Sequence, residues 1–580
     1  MSIITILALN DFYERLKNKT LSQSSNYRMD KSIIFDNSKI VWESRTIHNF
    51  IFDELVTVVD VDIQFGLHFV NCQFKKGIVF KNVKNTLKTA SEEDLEGGGI
   101  CFSNCQSEFI LFGNACDIER GISIKAKCDI KKIQIIDSKA RNRGLKISKS
   151  TISNLLGITA CNLELHIDNS EINTLRVESN NGNISLIKSK FTDWAKFWNI
   201  ECPNNFTLNY NVFENTFDIK ASRVKGLFIH GDTFQRKGHF ENRDDSGNGH
   251  LTFLNEIYIT DANFVESFEF DGMGKNLKKV TLPFSSTFNG VLKIYNWNIN
   301  EVLISGINQN LKLIFSKNNF KRIVLNDFSN FGTINFDECK SDNINFKTDE
   351  DPDSSIIISN TSLGNTRFSE FDFNSFNFIN ILNASFEGIE ASNVKWFSDE
   401  KLQINSQIPV DEIGFRRKRE LYRQIKQTLR SKGNQIDSLI FQSREMRAYR
   451  DELRNSKNYS CGDRIIMTVN QTNDYGVNWT KPFLLIILIT FITYVICLPL
   501  FSEKMDYHLC GKFIAFDVFW KEFGQKLPSL AQMFNPARNF LITYGTNASI
   551  SLYFIDLLHR VVLGILIFQL ISSFRRLSNK

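Results

Sequence analysis

Residues 356–378 read IIISNTSLGNTRFSEFDFNSFNF, and their spacing decides the fold. Every fifth residue from Ile358 onward is large and apolar. These positions are Ile358, Leu363, Phe368, Phe373 and Phe378, and a second series two places earlier holds Ile356, Thr361, Thr366, Phe371 and Phe376. An amphipathic helix repeats every 3.6 residues and a half-buried strand every 2, so neither explains a period of five. The pattern predicts short extended segments separated by corners, which is typical of a solenoid.

The same frame occurs upstream in three consecutive blocks. The blocks comprise Leu145, Ile147, Ser150, Ile152 and Leu155; then Leu165, Ile167, Ser170, Ile172 and Leu175; then Ile184, Leu186, Ser189, Phe191 and Trp194. Their starts lie 20 and then 19 residues apart, at positions 145, 165 and 184. Four sides of five residues make one coil of this length. Each coil would stack its apolar side chains on those of the coil before it.

In this frame the sequence resembles the pentapeptide-repeat proteins, over residues 65–390. The resemblance implies a mainly β protein, a right-handed quadrilateral β-helix with a large central residue and a small residue two places before it. The frame is regular at 145–194 and 313–378, and it is weak at 106–140 and 240–300. The alternative is a Phe-rich β-sandwich, but period-2 strands do not keep a five-residue frame. The predicted solenoid spans 31–400, and residues 1–30 are predicted to form a helical cap around Ile3 to Leu16.

Composition limits the function classes. The chain has 580 residues and 52 Phe, and flat rings suit a narrow interior where they stack from coil to coil. Residues 411–580 hold 24 Lys and Arg against 14 Asp and Glu, whereas residues 1–410 hold 45 against 50. An acidic N-terminal body does not favour a nucleic-acid binder. The eleven Cys include no zinc spacing, so we expect Cys101 and Cys105 to pack in the interior and expect no metal or cofactor.

Residues 411–458 predict a basic helical hairpin. Leu421, Ile425 and Leu429 lie at i, i+4 and i+8, and Gly433 is a typical stop signal. A solvated, ion-paired surface would explain the charges. We alternatively predict contact with anionic lipid headgroups. The candidate residues are Arg416, Arg417, Lys418, Arg419, Arg423, Arg447 and Arg450, together with Arg575 and Arg576 near the end of the chain.

Two segments predict membrane spans. Residues 482–501 contain no charge and are long enough to cross a bilayer of ~30 Å. Residues 548–574 form the second candidate, although Asp556, His559 and Arg560 lie inside it. Asp556 and Arg560 are four residues apart, and such a pair lowers the cost of burying either charge.

Basic residues before the first predicted span and after the second place both termini in the cytoplasm by the positive-inside rule. The segment 502–547 would then be non-cytoplasmic. It carries an apolar stripe of helical spacing, which predicts an interfacial helix or a helix packed on a partner subunit. The stripe consists of Phe513, Phe516, Trp520, Phe523 and Leu527.

The C-terminal part, including YRQIKQTLRSKGNQIDSLIFQSREMRAYRDEL at 422–453, resembles the tail of bacterial membrane-anchored pentapeptide-repeat proteins. The resemblance implies a cytoplasmic β-helix on an inner-membrane anchor. The sequence has no HExxH, GxSxG or P-loop motif, so we do not expect an enzyme. The leading prediction is a membrane-tethered scaffold or sensor that binds membrane lipids and a protein partner along the solenoid.

Two other functions stay open. In the first, the spans form a homo-oligomeric, channel-like effector that permeabilises the membrane, for example in anti-phage defence. The charged residues of the second span and the amphipathic segment 502–547 are its basis. In the second, the β-helix is an enzyme that acts on a polysaccharide along its groove, which the narrow five-residue frame disfavours.

Overall fold

The computed structural model describes residues 4–17, 25–36, 45–63, 66–85, 99–241, 253–341, 354–403, 412–456, 460–502, 504–505, 516–545 and 549–578. The chain divides into two compact units, Met1–Gln403 and Ile404–Lys580. The first unit is a parallel β-solenoid of about 16 turns, and the second is helical. The predicted fold class, a mainly β solenoid followed by helices that include two apolar ones, is confirmed.

The solenoid strands form two sheets, and the pairings between the described strands are parallel. Sheet 1 contains Ile4–Ile6, Asn26–Met29, Ile33–Phe35, Phe50–Phe52, Val56–Val59, Gln73–Phe74, Ile78–Lys81, Gln106–Gly113, Asp129–Ile136, Thr151–Thr159, Glu171–Glu178, Lys190–Phe191, Ala195–Trp198, Val212–Phe213, Phe217–Lys220, Thr233–Phe234, Gly238–Glu241, Asn263–Asp271, Asn289–Tyr295, Lys312–Ser316, Thr333–Asp337, Thr366–Ser369 and Glu390–Ser392. Sheet 2 contains Arg45–His48, Leu67–Val70, Lys84–Asn85, Ile100–Ser103, Asp117–Ile118, Ile122–Lys125, Lys139–Ser148, Asn162–Asp168, Ile184–Ile187, Glu201–Asn209, Arg223–His230, Phe253–Thr260, Asn276–Phe284, Asn298–Asn308, Asn319–Asn330, Ser355–Ser359, Phe378–Leu382 and Leu402–Gln403.

Each coil crosses both sheets and bends within each of them. Leu145 pairs with Leu165, which in turn pairs with Ile184, so the register of sheet 2 matches the 20- and 19-residue spacing in the sequence. The register shifts between Ala140 and Leu145 in sheet 2, and between Ile152 and Leu155 in sheet 1. These breaks divide a coil into four short extended segments, as the five-residue frame requires.

Aromatic side chains stack along the interior from one coil to the next. The ring centroids of Phe315 and Phe336 lie 5.2 Å apart, and those of Phe336 and Phe368 lie 5.4 Å apart, with interplanar angles of 11° and 7°. All three rings are buried. Parallel coils separated by one strand spacing of about 4.8 Å bring equivalent rings into this offset-stacked geometry.

The corners use left-handed backbone conformations. Asn49, Asn71 and Asn104 have φ values of 59°, 53° and 53°. Asn tolerates this region better than most residues because its short amide can hydrogen-bond locally. Here the amides also join successive coils: Asn71 Nδ2 donates to Asn49 Oδ1, and Asn104 Nδ2 donates to Asn71 Oδ1. The corners are therefore tied by side chains as well as by strand pairing.

At Phe378 the structure departs from the predicted five-residue frame. A 3₁₀ turn at Phe373–Ser375 shifts the following segment, so Phe378 is only half-buried and pairs with Ser355. Ile379 enters the interior instead, opposite Ile356. The five-residue frame therefore ends at Phe373, one five-residue step earlier than the sequence predicts.

The segments with a weak frame are also solenoid. Within 106–140 the strand Gln106–Gly113 pairs with Asp129–Ile136, and within 240–300 the strand Asn276–Phe284 pairs with Asn298–Asn308. Buried side chains in these coils keep the five-residue spacing only in part: Ile130, Ile135 and Ala140 follow it, whereas Ile118 and Ile124 are six residues apart. The strands nevertheless pair normally. Residues 242–250, within the second of these segments, lie outside the described residues.

The N-terminal cap is shorter than predicted. Ile4–Ile6 is a strand that pairs with Asn26–Met29, because a β-branched run favours extended backbone over helix. Among the described residues of 1–30, the helical part is Leu9–Lys17, helix α1. Its Phe12 is fully buried against Phe50, at a centroid distance of 5.4 Å. The helix thus covers the first coil, and the solenoid begins before residue 31.

The second unit contains eight α-helices in its described part. They are α2 (Glu412–Ser431), α3 (Gln435–Asn455), α4 (Cys461–Gln471), α5 (Thr480–Phe501), α6 (Phe516–Gln525), α7 (Leu527–Met533), α8 (Phe540–Tyr544) and α9 (Ile550–Ser578), with a 3₁₀ turn at Asp474–Gly476. Helices α2 and α3 form the predicted hairpin, and Gly433 takes a φ of 82° between them. The Asn434 side chain caps α3 by accepting the N–H of Asp437.

Candidate functional site in the apolar helix pair

Helices α5 and α9 are long and apolar enough to cross a membrane. Their mean hydropathies are 2.8 and 2.0, yet only 28% of each apolar window is buried. They pack against each other through Ile486, Leu563 and Leu566. A core helix of a water-soluble domain would bury most of its apolar side chains. The large exposed apolar surface of this pair is therefore the feature that a functional account must explain.

A buried ion pair lies within this unit. Asp556, on α9, accepts a hydrogen bond from the guanidinium of Arg538, which lies between α7 and α8. The side chains of Arg538 and Asp556 are only 2% and 4% exposed. Arg538 Nη1 also donates to the carbonyl of Met533 at 3.0 Å. The ion pair holds the segment between the two apolar helices against α9.

Tyr544 and His559 complete the surroundings of this ion pair. The Tyr544 hydroxyl donates to Asp556 Oδ1 at 3.0 Å, and Arg538 Nη2 lies 3.1 Å from His559 Nδ1. A guanidinium has no acceptor, so His559 Nδ1 must accept and the ring proton lies on Nε2. That nitrogen is 3.3 Å from Thr490 Oγ1 on α5, which can accept it. The cluster thus connects α5, α8 and α9.

Arg560 binds the same carboxylate, as predicted from the sequence. Its Nε donates to Asp556 Oδ2 at 2.6 Å, and its side chain is 26% exposed. Asp556 is therefore shared by two guanidinium groups, which leaves the cluster with one excess positive charge. Arg560 lies well inside α9, so within the apolar helix pair its charge depends on Asp556 for compensation.

Arg538 is the charged member of the cluster that the sequence did not predict, and Tyr544 and Thr490 were not predicted either. Asp556, His559 and Arg560 stand out in the sequence because they lie inside an apolar segment, whereas Arg538 lies in a segment of mixed composition. The sequence offers one signal: Arg538 is the single Lys or Arg between Lys526 and Arg560. Its isolation from other charges is compatible with a buried partner.

The predicted interfacial stripe does not form one helix face. Phe513 lies outside the described residues, and Phe516 begins α6. Phe523 packs toward α5, with its ring 5.3 Å from that of Tyr494, while Trp520 is 52% exposed. Leu527 belongs to α7, because α6 ends at Gln525 and Lys526 is the N-cap of a new helix with Pro528 in its first turn. An interfacial position of this segment stays a prediction.

Several predicted lipid-binding residues instead bind other side chains. Arg419 pairs with Glu452 at 3.0 Å across the hairpin, and Arg447 binds Asp474 through two nitrogens. The remaining pairs and contacts are Arg423 with Glu420, Arg450 with Asp451, Lys418 over the Tyr422 ring, and Arg576 with the Tyr475 carbonyl. Arg416, Arg417 and Arg575 are exposed. Lipid contact by these residues stays a prediction, best supported for Arg416 and Arg417.

The Cys side chains of the solenoid are buried. Cys105 Sγ donates to the carbonyl of Phe69 at 3.3 Å, and Cys128 Sγ lies 3.2 Å from the backbone N–H of Cys105. Burial raises the pKa of the Cys101 thiol, which disfavours the thiolate that metals bind. Across the described ranges, no group of three His, Cys, Asp or Glu could hold a metal ion.

Comparison of the chain with protein-family models, curated proteins and solved structures finds no match. Membership of the pentapeptide-repeat family therefore stays a hypothesis that rests on the residues alone.

Proposed function

We propose that this protein is a membrane-tethered scaffold or sensor, in which the β-solenoid binds a protein partner at the cytoplasmic face of a bacterial inner membrane. The observation that carries the proposal is the orientation of side chains in the α5 and α9 pair. Polar groups such as Asp556, His559 and Gln569 are buried between helices, while Leu484, Leu488 and Phe554 are 61%, 53% and 73% exposed. A bilayer would cover these outward apolar side chains.

The solenoid would supply the binding surface. Trp198 on sheet 1 is 51% exposed, and the ammonium group of Lys196 lies 4.8 Å from the ring centroid of Trp194. Trp is among the residues that most often dominate the binding energy of protein interfaces. We propose that this region, the Trp194–Trp198 surface, contacts the partner. The solenoid acts in this proposal as a binding surface and not as a catalyst.

The permeabilising alternative has less support. A pore built from several copies needs polar side chains on the outer faces of the spans, and the exposed residues along the middle of α5 and α9 are mainly apolar. The alternative predicts that expression of the full chain depolarises cells and that Asp556→Ala or Arg560→Ala abolishes this effect. The scaffold proposal predicts no depolarisation.

Cysteine labelling tests the membrane topology. Cys461, the first residue of α4, is exposed on the N-terminal side of α5, and the other nine described free cysteines are buried. In a Cys510→Ser background, a membrane-impermeant maleimide added to spheroplasts should label Cys461 only after permeabilisation. A matched variant, Cys461→Ser with Leu541→Cys, places the thiol between the spans at a residue that is 54% exposed. It should be labelled without permeabilisation, whereas labelling of both thiols from one side would refute the proposal.

A photo-crosslinker tests the partner surface in the full chain. Placed at Trp198 it should give a discrete adduct with a second protein in cells. At Met273, which is equally exposed at 51%, it should not. Equal adducts at both positions, or none at Trp198, would remove the Trp194–Trp198 surface from the proposal.

A further inference from the structure

Helix α4 carries an apolar stripe that the described chain leaves uncovered. Gly462, Ile465, Ile466 and Val469 lie at i, i+3, i+4 and i+7, which places them on one face of a helix. Ile465 and Ile466 are 60% and 56% exposed. The opposite side is anchored to the protein, because Met467 is 6% exposed. The helix therefore presents two large aliphatic side chains outward.

The position of α4 is fixed by contacts with the last turns of α9. Gln569 Nε2 donates to Asn470 Oδ1 at 3.5 Å, and Asn473 Nδ2 donates to the Gln569 carbonyl at 3.2 Å. Arg576 Nη1 donates to the Tyr475 carbonyl at 2.8 Å. The chain then enters α5 at Thr480. Helix α4 thus lies at the end of the apolar helix pair where α5 begins and α9 ends.

This end has the composition of a membrane interface. Trp479 is 38% exposed, and its ring lies 5.1 Å from that of Phe574. Arg464, Lys481 and Arg575 are exposed around it. Aromatic side chains collect at the level of the headgroups, and basic side chains attract anionic lipids. The apolar stripe of α4 therefore adjoins an apolar surface that already requires lipid.

We propose that α4 is an interfacial helix that inserts Ile465 and Ile466 between phospholipid headgroups on the side of the membrane where α5 begins. Helices of this kind lie in the interface plane with their apolar face about 5–10 Å into the headgroup and acyl boundary. The inference rests on the proposed function, because it requires α5 and α9 to lie in the bilayer. It assigns to α4 the interfacial role that the sequence suggested for the segment 502–547.

Fluorescence quenching in vesicles of phosphatidylcholine and phosphatidylglycerol tests the inference. The full chain carries Cys461→Ser and Cys510→Ser, and one of three further substitutions takes an environment-sensitive dye: Ile465→Cys, Gln471→Cys or Leu488→Cys. Gln471 is exposed on the opposite side of α4, and Leu488 is exposed in the middle of α5. Lipid nitroxides near the headgroup or near the acyl-chain end report depth, and aqueous iodide reports exposure to water.

The dye at 465 should be quenched several-fold more by the shallow nitroxide than by iodide, and the dye at 471 should show the reverse. The dye at 488 should respond best to the deep nitroxide. The inference is overturned if the dye at 465 is as accessible to iodide as the dye at 471. Shielding of the 465 dye from both quenchers also overturns it, because the solenoid or a second copy then covers α4. A dye at 488 without lipid quenching overturns the proposed function as well.

Discussion

Arg538 and Asp556 form an ion pair that is almost completely buried, although 18 residues separate them in the chain. The pair joins the segment between the two apolar helices to α9. Each partner makes a further hydrogen bond: Arg538 donates to the Met533 carbonyl, and Asp556 accepts from the Tyr544 hydroxyl. A charged side chain in the interior destabilises the folded state when its oppositely charged partner is removed.

Removing one member of this pair should therefore destabilise the helical unit strongly. Arg538→Met leaves the buried Asp556 carboxylate with Arg560 as its charged partner, and Asp556→Leu leaves two guanidinium groups without their carboxylate. Each single change should cost about 3–5 kcal/mol, and the double variant should recover much of the loss. Thermal unfolding of the full chain in detergent, measured for the parent, the two single variants and the double variant, gives this double-mutant cycle. Arg560→Met is the control and should cost less, because that side chain is partly exposed.

Stacked phenylalanines should contribute more to solenoid stability than exposed ones. Phe336 lies between Phe315 and Phe368 and is 2% exposed. Phe336→Ala opens a cavity in the interior and should lower the free energy of unfolding by about 3–5 kcal/mol. Phe331→Ala removes a ring that is 63% exposed and should change it little. Denaturant unfolding of the full chain in detergent compares the two, and equal losses would contradict the stacked interior.

Substitutions at two glycines of the solenoid distinguish the effect of backbone strain from the effect of steric contact. Gly290 and Gly274 have φ values of 92° and 78°, so alanine is strained at either position by roughly 1–2 kcal/mol. A Cβ on Gly290 would lie 1.6 Å from the carbonyl oxygen of Phe264, whereas a Cβ on Gly274 meets nothing within 4 Å. Gly290→Ala should therefore lower the melting temperature well beyond Gly274→Ala. Similar shifts would show that the coils at Phe264 and Gly290 are less closely packed.

The sequence predicted the solenoid because its coils repeat the same local chemistry. Residues that face the interior recur at 145, 165 and 184, and the register of sheet 2 follows them. The five-residue frame is weak at 106–140 and 240–300 because strand pairing needs only an apolar side chain on the inner face, not a fixed period of five; both segments lie within the predicted solenoid. The shift at Phe378 depends on a single 3₁₀ turn, which no periodic pattern contains.

The candidate site was only partly predictable for a related reason. Asp556 and Arg560 lie one helical turn apart, so local spacing predicts their contact. Arg538 reaches Asp556 through the packing of α8 against α9, and spacing along the chain does not encode such a contact. The contact between Thr490 of α5 and His559 is also not predictable from spacing, and Thr490 is one polar residue within an apolar segment.

Asp232 should make solenoid stability depend on pH. It is fully buried at the end of a column of polar side chains that continues from Ser170 and Ser189 through Asn211. Burial raises the pKa of its carboxyl group to about 7, although the backbone N–H groups of Asn211 and His230 favour the carboxylate. The folded chain therefore binds a proton at Asp232 more tightly than the unfolded chain does.

The direction of the change in stability with pH follows from this difference in proton binding. Between the unfolded pKa of about 3.9 and the folded pKa of about 7, the folded state holds the Asp232 proton and the unfolded state releases it, so stability falls as pH rises. Asp232→Ser places in this coil the residue type found at Ser170 and Ser189 and removes the effect. The free energy of unfolding of the parent chain, measured from pH 5 to pH 8 in detergent, should fall relative to that of the variant. Burial lowers the pKa of the His166 imidazole, which acts in the opposite direction, but it is common to both proteins and cancels. Parallel pH profiles would show that Asp232 stays ionised in the folded solenoid.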